Sequence, residues 1–480
     1  MLGMMPFLPT ARPICDSNET QLVANHAVPH NEAVNLAIER YITHIHEAPS
    51  EEETKSFFVA DLSQVSHQHT RWERNLPAVR PYYGAHYFPY LEHAAALIEN
   101  EHTNQVAAVK CNSDPALLYH LASLGTGFDC ASVEEIRLVL DLNVNPSRII
   151  SANPVKAPAA LRFARRVGVA RMTFDNLDEL DKISSNFSEA QLLLRIYASD
   201  EDALVKLGEK FGARLDTTES LLKRAWELGL SVVGVSFHVG SGAQGPDPYR
   251  KAIQDAAVVF HQATAIGFHP NILDIGGGFT DSNFETIASA VRESIAAHFP
   301  PDITIFAEPG RYFARSAYTL VSRVIGRRRQ MSNTSAAAER APDMLYQNDG
   351  VYGNFMNVVM ETERMAPGLH KPDENSLATT AKKQGHGEGS QGKYRYSIWG
   401  PTCDSIDCVT REATFDSEVQ VGDWLTYRDM GAYTMTTATR FNGFSGSSDV
   451  VYVDGEAMPD CMESPGCVAK DEPYHGKSRN

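Results

Sequence analysis

Between positions 106 and 310, short runs rich in β-branched and aromatic residues alternate with longer segments whose apolar residues recur every three or four positions. The β-rich runs number eight, at 106–110, 128–131, 148–152, 171–174, 192–196, 232–239, 272–276 and 304–308. Helical periodicity marks 133–142, 157–167, 219–228, 249–266 and 284–298 between them. Eight successive strand–helix units close naturally into a (β/α)8 barrel, because each short right-handed crossover lays the next strand parallel beside the last. An open, doubly wound sheet is the alternative with the same local pattern.

Polar or small residues stand at or just past the C-terminal ends of these runs: Lys110, Asp129, Asn153, Arg195, His238, Gly276 to Gly278 and Glu308. Barrel enzymes build their active sites on that face, so such a cluster points to catalysis rather than packing. Beyond about position 318 the helical pattern gives way to separated strand-like runs at 318–324, 345–347, 395–399, 424–427 and 450–453. The division expected is therefore an α/β barrel over 55–315 and a β-rich domain over 316–454, with 56–59 as a candidate extra strand of the latter. Two polar insertions, 327–341 and 375–393, carry too few large apolar groups to order themselves, and so do residues 1–33 of the N-terminal extension 1–54 and the tail 455–480.

With 480 residues, 43% of them hydrophobic, the chain is long enough for two packed domains. Its net charge of −17 disfavours nucleic acid, whose phosphates it would repel, and weakly suits a cationic substrate. The seven cysteines show neither disulfide-framework nor metal-ligand spacing, which fits a reducing compartment and predicts no metal site. No secretory signal and no apolar stretch of membrane-spanning length is apparent, so the cytosol is the expected location.

Each reactive element has a bland reading beside a chemical one. Lys110 ends an apolar strand, where desolvation lowers an amine's pKa toward nucleophilic reactivity; most such lysines merely extend to water. The triplet Gly276-Gly277-Gly278 lets backbone N–H groups approach a phosphate, or makes a tight turn. His238, followed by Ser241, offers an imidazole that can lie over an aromatic ring together with a hydroxyl donor. Glu308 and Arg311, three residues apart around a Pro-Gly turn, suit a pyridine nitrogen and a phosphate, or simply each other.

Their order along one barrel is far more specific than any one of them. The segments Ala108-Val109-Lys110-Cys111-Asn112, Gly125 to Ser132, Asp274 to Phe279 and Ala307 to Tyr312 resemble the signatures of eukaryotic ornithine decarboxylases. So do Asn348-Asp349-Gly350-Val351-Tyr352-Gly353, Ser397 to Asp404 and Asn442-Gly443-Phe444. The resemblance implies a homodimeric, pyridoxal-phosphate-dependent enzyme of polyamine biosynthesis that releases carbon dioxide from a basic amino acid. Lys110 then matches the lysine that links covalently to the cofactor, His238 the imidazole stacked on its ring, and Glu308 the partner of its ring nitrogen. Ser241, Gly276, Gly277, Gly278, Arg311 and Tyr433 match phosphate contacts, and Asp129, Glu135 and Arg195 match polar supports of the cofactor. Cys403 matches the thiol that returns a proton to the substrate carbon, while Tyr352, Glu361 and Asp404 are the expected substrate contacts, with Asp404 reaching across the dimer.

One segment departs from the family. A Tyr-Asp pair is usual where this chain has Met360-Glu361, so a phenol contact to phosphate is lost, worth roughly 1.5 to 3 kcal/mol. The extra methylene of Glu361 also moves its carboxylate by about 1.5 Å. Three outcomes stay open: ornithine as substrate, another basic or modified amino acid of a specialised pathway, or an inactive regulator resembling the antizyme inhibitors. The intact Lys110, Asp129, His238, Glu308 and Cys403 argue against the last.

Overall fold

In the computed structural model, residues 30–47, 55–85, 110–330, 341–371, 394–444 and 448–453 are described. Eight parallel strands close into a barrel: Val79–Ala85, Gly127–Cys130, Ile149–Ser151, Arg171–Phe174, Gln191–Arg195, Ser231–Ser236, Ile272–Asp274 and Thr304–Ala307. Closure is made by Ile305 pairing with Val79, which rules out the open sheet. Side-chain alternation divides the two faces of each strand. Leu193 and Phe306 join Tyr82, Ile150 and Ile272 in one buried cluster, whereas Leu192, Leu194 and Ile305 belong to the larger core shared with the helices.

The first barrel strand is a correction. The sequence reading put it at 106–110, but it is Val79–Ala85; positions 106–109 lie outside the described residues. Arg80, Pro81 and Gly84 interrupt the apolar run there, and proline removes a ladder donor, so the segment carries little strand signal of its own. The other seven strands fall where the pattern placed them, with ends shifted by a few residues.

Local chemistry sets the helix ends between strands. Asp114, Ser132 and Asn176 each accept a backbone N–H in the first turn of the helices Pro115–Ser123, Val133–Asp141 and Leu177–Asn186. Gly168, at φ 81°, closes Pro158–Val167 in the left-handed conformation that suits glycine.

The second domain is an eight-stranded sheet built on the long strand Tyr318–Arg328, which pairs with Trp424–Tyr427, Asp343–Gln347 and Phe57–Ala60. Phe57–Ala60 precedes the barrel in sequence, so the chain leaves the sheet, winds the barrel and returns. Two further strands, Gly368–His370 and Cys408–Phe415, were not read from the sequence; the second alternates buried and exposed positions irregularly. Within the N-terminal extension, His30–Glu47 is a helix that packs Val34, Ile38, Ile42 and Ile45 on Phe57, Val59, Val321 and Trp424. Most of each polar insertion, 331–340 and 372–393, and the tail from 454 lie outside the described residues.

Candidate active site

The C-terminal barrel face meets the β domain through the loop that follows Lys110. Asn112 Nδ2 donates to the Gly431 carbonyl, Tyr433 N–H to the Cys111 carbonyl, and the Thr436 hydroxyl to the carbonyl of Lys110 itself. Tyr433 holds a φ of 57°, a strained conformation for a bulky side chain that these contacts sustain. The same junction is braced by Asp114, which receives hydroxyl hydrogen bonds from Tyr318 and Tyr452 at 2.6 and 2.7 Å.

Around Lys110 and its neighbours stand three buried carboxyls, Asp129 and Asp274 from strand ends and Glu135 from the helix Val133–Asp141, with the half-buried Glu308 and the guanidinium of Arg195. Burial lowers the pKa of the Lys110 amine, with Asp129 and Glu308 partly opposing it. Burial likewise pushes Asp129 and Glu135 upward, and Glu308 most plainly, since Asp274 and Asp129 add their charge beside it. Asp274 beside Glu308 favours the proton on Glu308. His238 accepts the Gly240 N–H at Nδ1, leaving its proton on Nε2, and burial followed by Arg195 and Lys110 keeps the ring neutral.

A second, oppositely charged zone lies a short way along the same face. Arg311 reaches the Ser241 hydroxyl at 3.3 Å and stacks over the Tyr433 ring at 4.9 Å. Beside it the loop after Ile272–Asp274 turns so closely on its neighbours that side chains are barred. A Cβ at Gly276, which has φ 63°, would stand 2.2 Å from the Phe237 carbonyl oxygen. One at Gly277 would stand 2.8 Å from His238 Nε2.

These two zones fit one ligand with a proton-bearing ring at one end and a phosphate at the other. The acidic end holds buried oxygens without a hydrogen-bond partner, Glu135 Oε1 and Asp274 Oδ2, and the basic end is a cradle that any Cβ would fill. That donor set suits pyridoxal phosphate. The comparisons agree. Residues 89–315 match the pyridoxal-binding domain of pyridoxal-dependent decarboxylases. The ornithine decarboxylase of Neurospora crassa is 44% identical over 438 residues, covering 88% of this chain and 83% of that protein.

The chain belongs to the eukaryotic ornithine decarboxylase family. It is a pyridoxal-phosphate-dependent amino-acid decarboxylase. Decarboxylase flvG of Aspergillus flavus is 40% identical, over 86% of this chain and 89% of that one. Among solved structures, the arginine decarboxylase of Paramecium bursaria Chlorella virus bound to agmatine superposes with a TM-score of 0.73 at 32% identity, covering 87% of this chain and all 100% of its own. The lysine decarboxylase of Selenomonas ruminantium gives 0.69 at 30% identity, over 88% and 98%.

The decarboxylase does not gather every expected site residue in one place. Lys110, Asp129, Glu135, Arg195, His238 and Glu308 share the acidic zone; Ser241, Gly276 to Gly278, Arg311 and Tyr433 form the basic one. Cys403 and Asp404 make their contacts elsewhere. The exposed Cys403 donates its backbone N–H to Asn442 Oδ1, and Asp404 Oδ2 accepts the Tyr352 hydroxyl at 2.7 Å. The Ile406 N–H, then that phenol, hold the Asp404 carboxyl below its ordinary range. Met360 is 54% exposed, and Glu361 lies against Arg311 rather than open to a substrate. Asp274 has no role in the sequence reading, although it ends the apolar strand Ile272–Asp274, and that signal would have found it.

Proposed function

We propose that this decarboxylase removes the carboxylate of a small cationic L-amino acid, with ornithine as the default substrate and putrescine as the product, in a cytosolic homodimer whose sites lie between subunits. The observation that carries the reading is the surplus of buried carboxyls around one amine. Lys110, whose amine pKa burial lowers, is a nucleophile suited to holding an aldehyde. The cofactor supplies that aldehyde and a protonated ring able to accept the electron pair left when carbon dioxide departs. Glu308, its proton held by burial and Asp274, would pass that proton to the ring nitrogen and remain as the carboxylate paired with it. Neutral His238 offers a flat apolar face without competing charge. Arg311, Ser241 and the glycine cradle anchor the phosphate and so fix the orientation of the ring.

Support for the dimer comes from what a single chain leaves apart. Cys403 and Asp404 stand on the β domain next to exposed Ile406, Phe441 and Phe444, a surface suited to association that would carry both groups to a neighbouring barrel mouth. There Cys403 would return a proton to the substrate carbon, and Asp404 would hold the distal ammonium.

A second reading, preference for lysine, arginine or a modified basic amino acid, is favoured by Glu361, whose carboxylate is already engaged with a guanidinium. Release of carbon dioxide from ornithine, lysine and arginine by the cofactor-loaded protein, beside Glu361→Asp and Lys110→Ala, separates the readings. Good turnover of ornithine that Glu361→Asp barely changes supports the default. Poor turnover that Glu361→Asp rescues supports the retuned enzyme, and silence on all three substrates sinks ornithine, lysine and arginine alike.

A further inference from the structure

The segment after the short helix Met356–Met360 is fastened to the barrel by two carboxylates. Glu361 Oε1 meets Arg311 Nη2 at 2.6 Å, and Glu363 pairs with Arg315 while also accepting Asn357 Nδ2. Thr362 between them takes the left-handed φ of 53° that points both acids at the same turn of chain. The two pairs differ in burial. Arg315 is 36% exposed, whereas Arg311 and Glu361 are 4% and 6% exposed. Glu361 Oε2 is buried with no hydrogen-bond partner, so the carboxylate is only half satisfied where it sits.

A buried guanidinium requires an anion, and breaking such a pair leaves an uncompensated charge. Arg311 is also the cation of the basic zone, beside Ser241 and the glycine cradle, and it lines a cavity of about 260 Å³ that it shares with Arg315, Asp281 and Ser282. Glu361 and a phosphate group therefore answer the same need at the same guanidinium. At a few ångströms apart in a water-poor pocket they would repel.

We propose that Glu361 is a built-in stand-in for the cofactor's phosphate: its carboxylate neutralises Arg311 in the cofactor-free protein and is displaced when a phosphate-bearing ligand takes that guanidinium. The exchange frees the carboxylate on the segment where a substrate's side chain is expected. Loading of the cofactor and presentation of a cation-binding carboxylate thus become one linked event. This deepens the functional reading above, on which it rests for the identity of the ligand, but it is tested by binding alone.

The experiment titrates the full-length cofactor-free protein with pyridoxal phosphate, followed by the visible absorbance of the lysine-bound form, with pyridoxal lacking the phosphate, and with inorganic phosphate, followed by thermal shift. The variants are Glu361→Gln, Glu361→Asp and, as a nearby charge removal, Glu363→Gln. We expect Glu361→Gln to bind pyridoxal phosphate and inorganic phosphate at least ~10-fold more tightly, with Glu363→Gln within ~2-fold of the parent and pyridoxal affinity unchanged throughout. Unchanged or weaker phosphate binding by Glu361→Gln overturns the proposal, as does an equal tightening of pyridoxal. Should that variant fail to fold, Glu361→Asp carries the test: its shorter reach loosens the pair, and no tightening there is equally fatal. A protein that passes these titrations yet decarboxylates no cationic amino acid defeats the functional reading and leaves this one standing.

Discussion

Lys110 is an amine held among Asp129, Glu135 and Glu308 at the mouth of a closed barrel, and its chemistry follows from that confinement. Lys110→Ala should abolish the visible absorbance of bound cofactor and lower turnover by roughly 10³-fold or more, the scale on which loss of a covalent nucleophile registers. Glu135 gives a pH-dependent prediction. Burial raises its folded pKa above 4.5, so the proton is bound more tightly folded than unfolded. Its favourable contribution is present at low pH and lost as pH rises through the folded value. Glu135→Gln should therefore leave the melting temperature of the cofactor-free protein nearly unchanged near about pH 4 and raise it increasingly toward about pH 8. A flat difference across that range, read by calorimetry, would contradict the assignment.

At the scale of elements, the loop after Ile272–Asp274 has no tolerance for side chains. Gly276→Ala would set a Cβ 2.2 Å from the Phe237 carbonyl at a positive φ, and should cost about 3 kcal/mol or more in urea denaturation. Gly245→Ala, with no atom within 4 Å, should stay within about 0.5 kcal/mol. Asp114 joins three elements at once, capping Pro115–Ser123 and accepting from Tyr318 and Tyr452. Asp114→Ala should destabilise by roughly 2 to 4 kcal/mol, since it removes a cap and strands two hydroxyls.

For the whole molecule, the separation of Cys403 and Asp404 from the Lys110 cluster within one chain makes subunit sharing measurable. If sites form between subunits, mixing inactive Lys110→Ala with inactive Cys403→Ala and allowing exchange should restore about a quarter of wild-type activity. Half the dimers would then be mixed, each with one intact site of two. No recovery despite demonstrated exchange would place each complete site within one chain.

The sequence by itself determined the alternation of strands and helices and most of the residues at the barrel mouth, because period-two and period-three-to-four patterns are local and reactive groups at strand ends interrupt otherwise apolar runs; closure into a barrel rather than an open sheet was decided by the pairing of Ile305 with Val79. It also displayed the departure at Met360-Glu361. Val79–Ala85 escaped because Arg80 and Pro81 hide a strand whose place is set by neighbours on both sides, Thr304–Ala307 and Gly127–Cys130. Cys408–Phe415 escaped for the same reason, as its pairing with Tyr394–Trp399 overrides a weak pattern. Only the tertiary structure decided that Asp274 stands beside Glu308 and that Glu361 reaches Arg311 across 50 positions. Which charges meet depends on how separate elements pack, and a buried ion must find its partner wherever packing puts one.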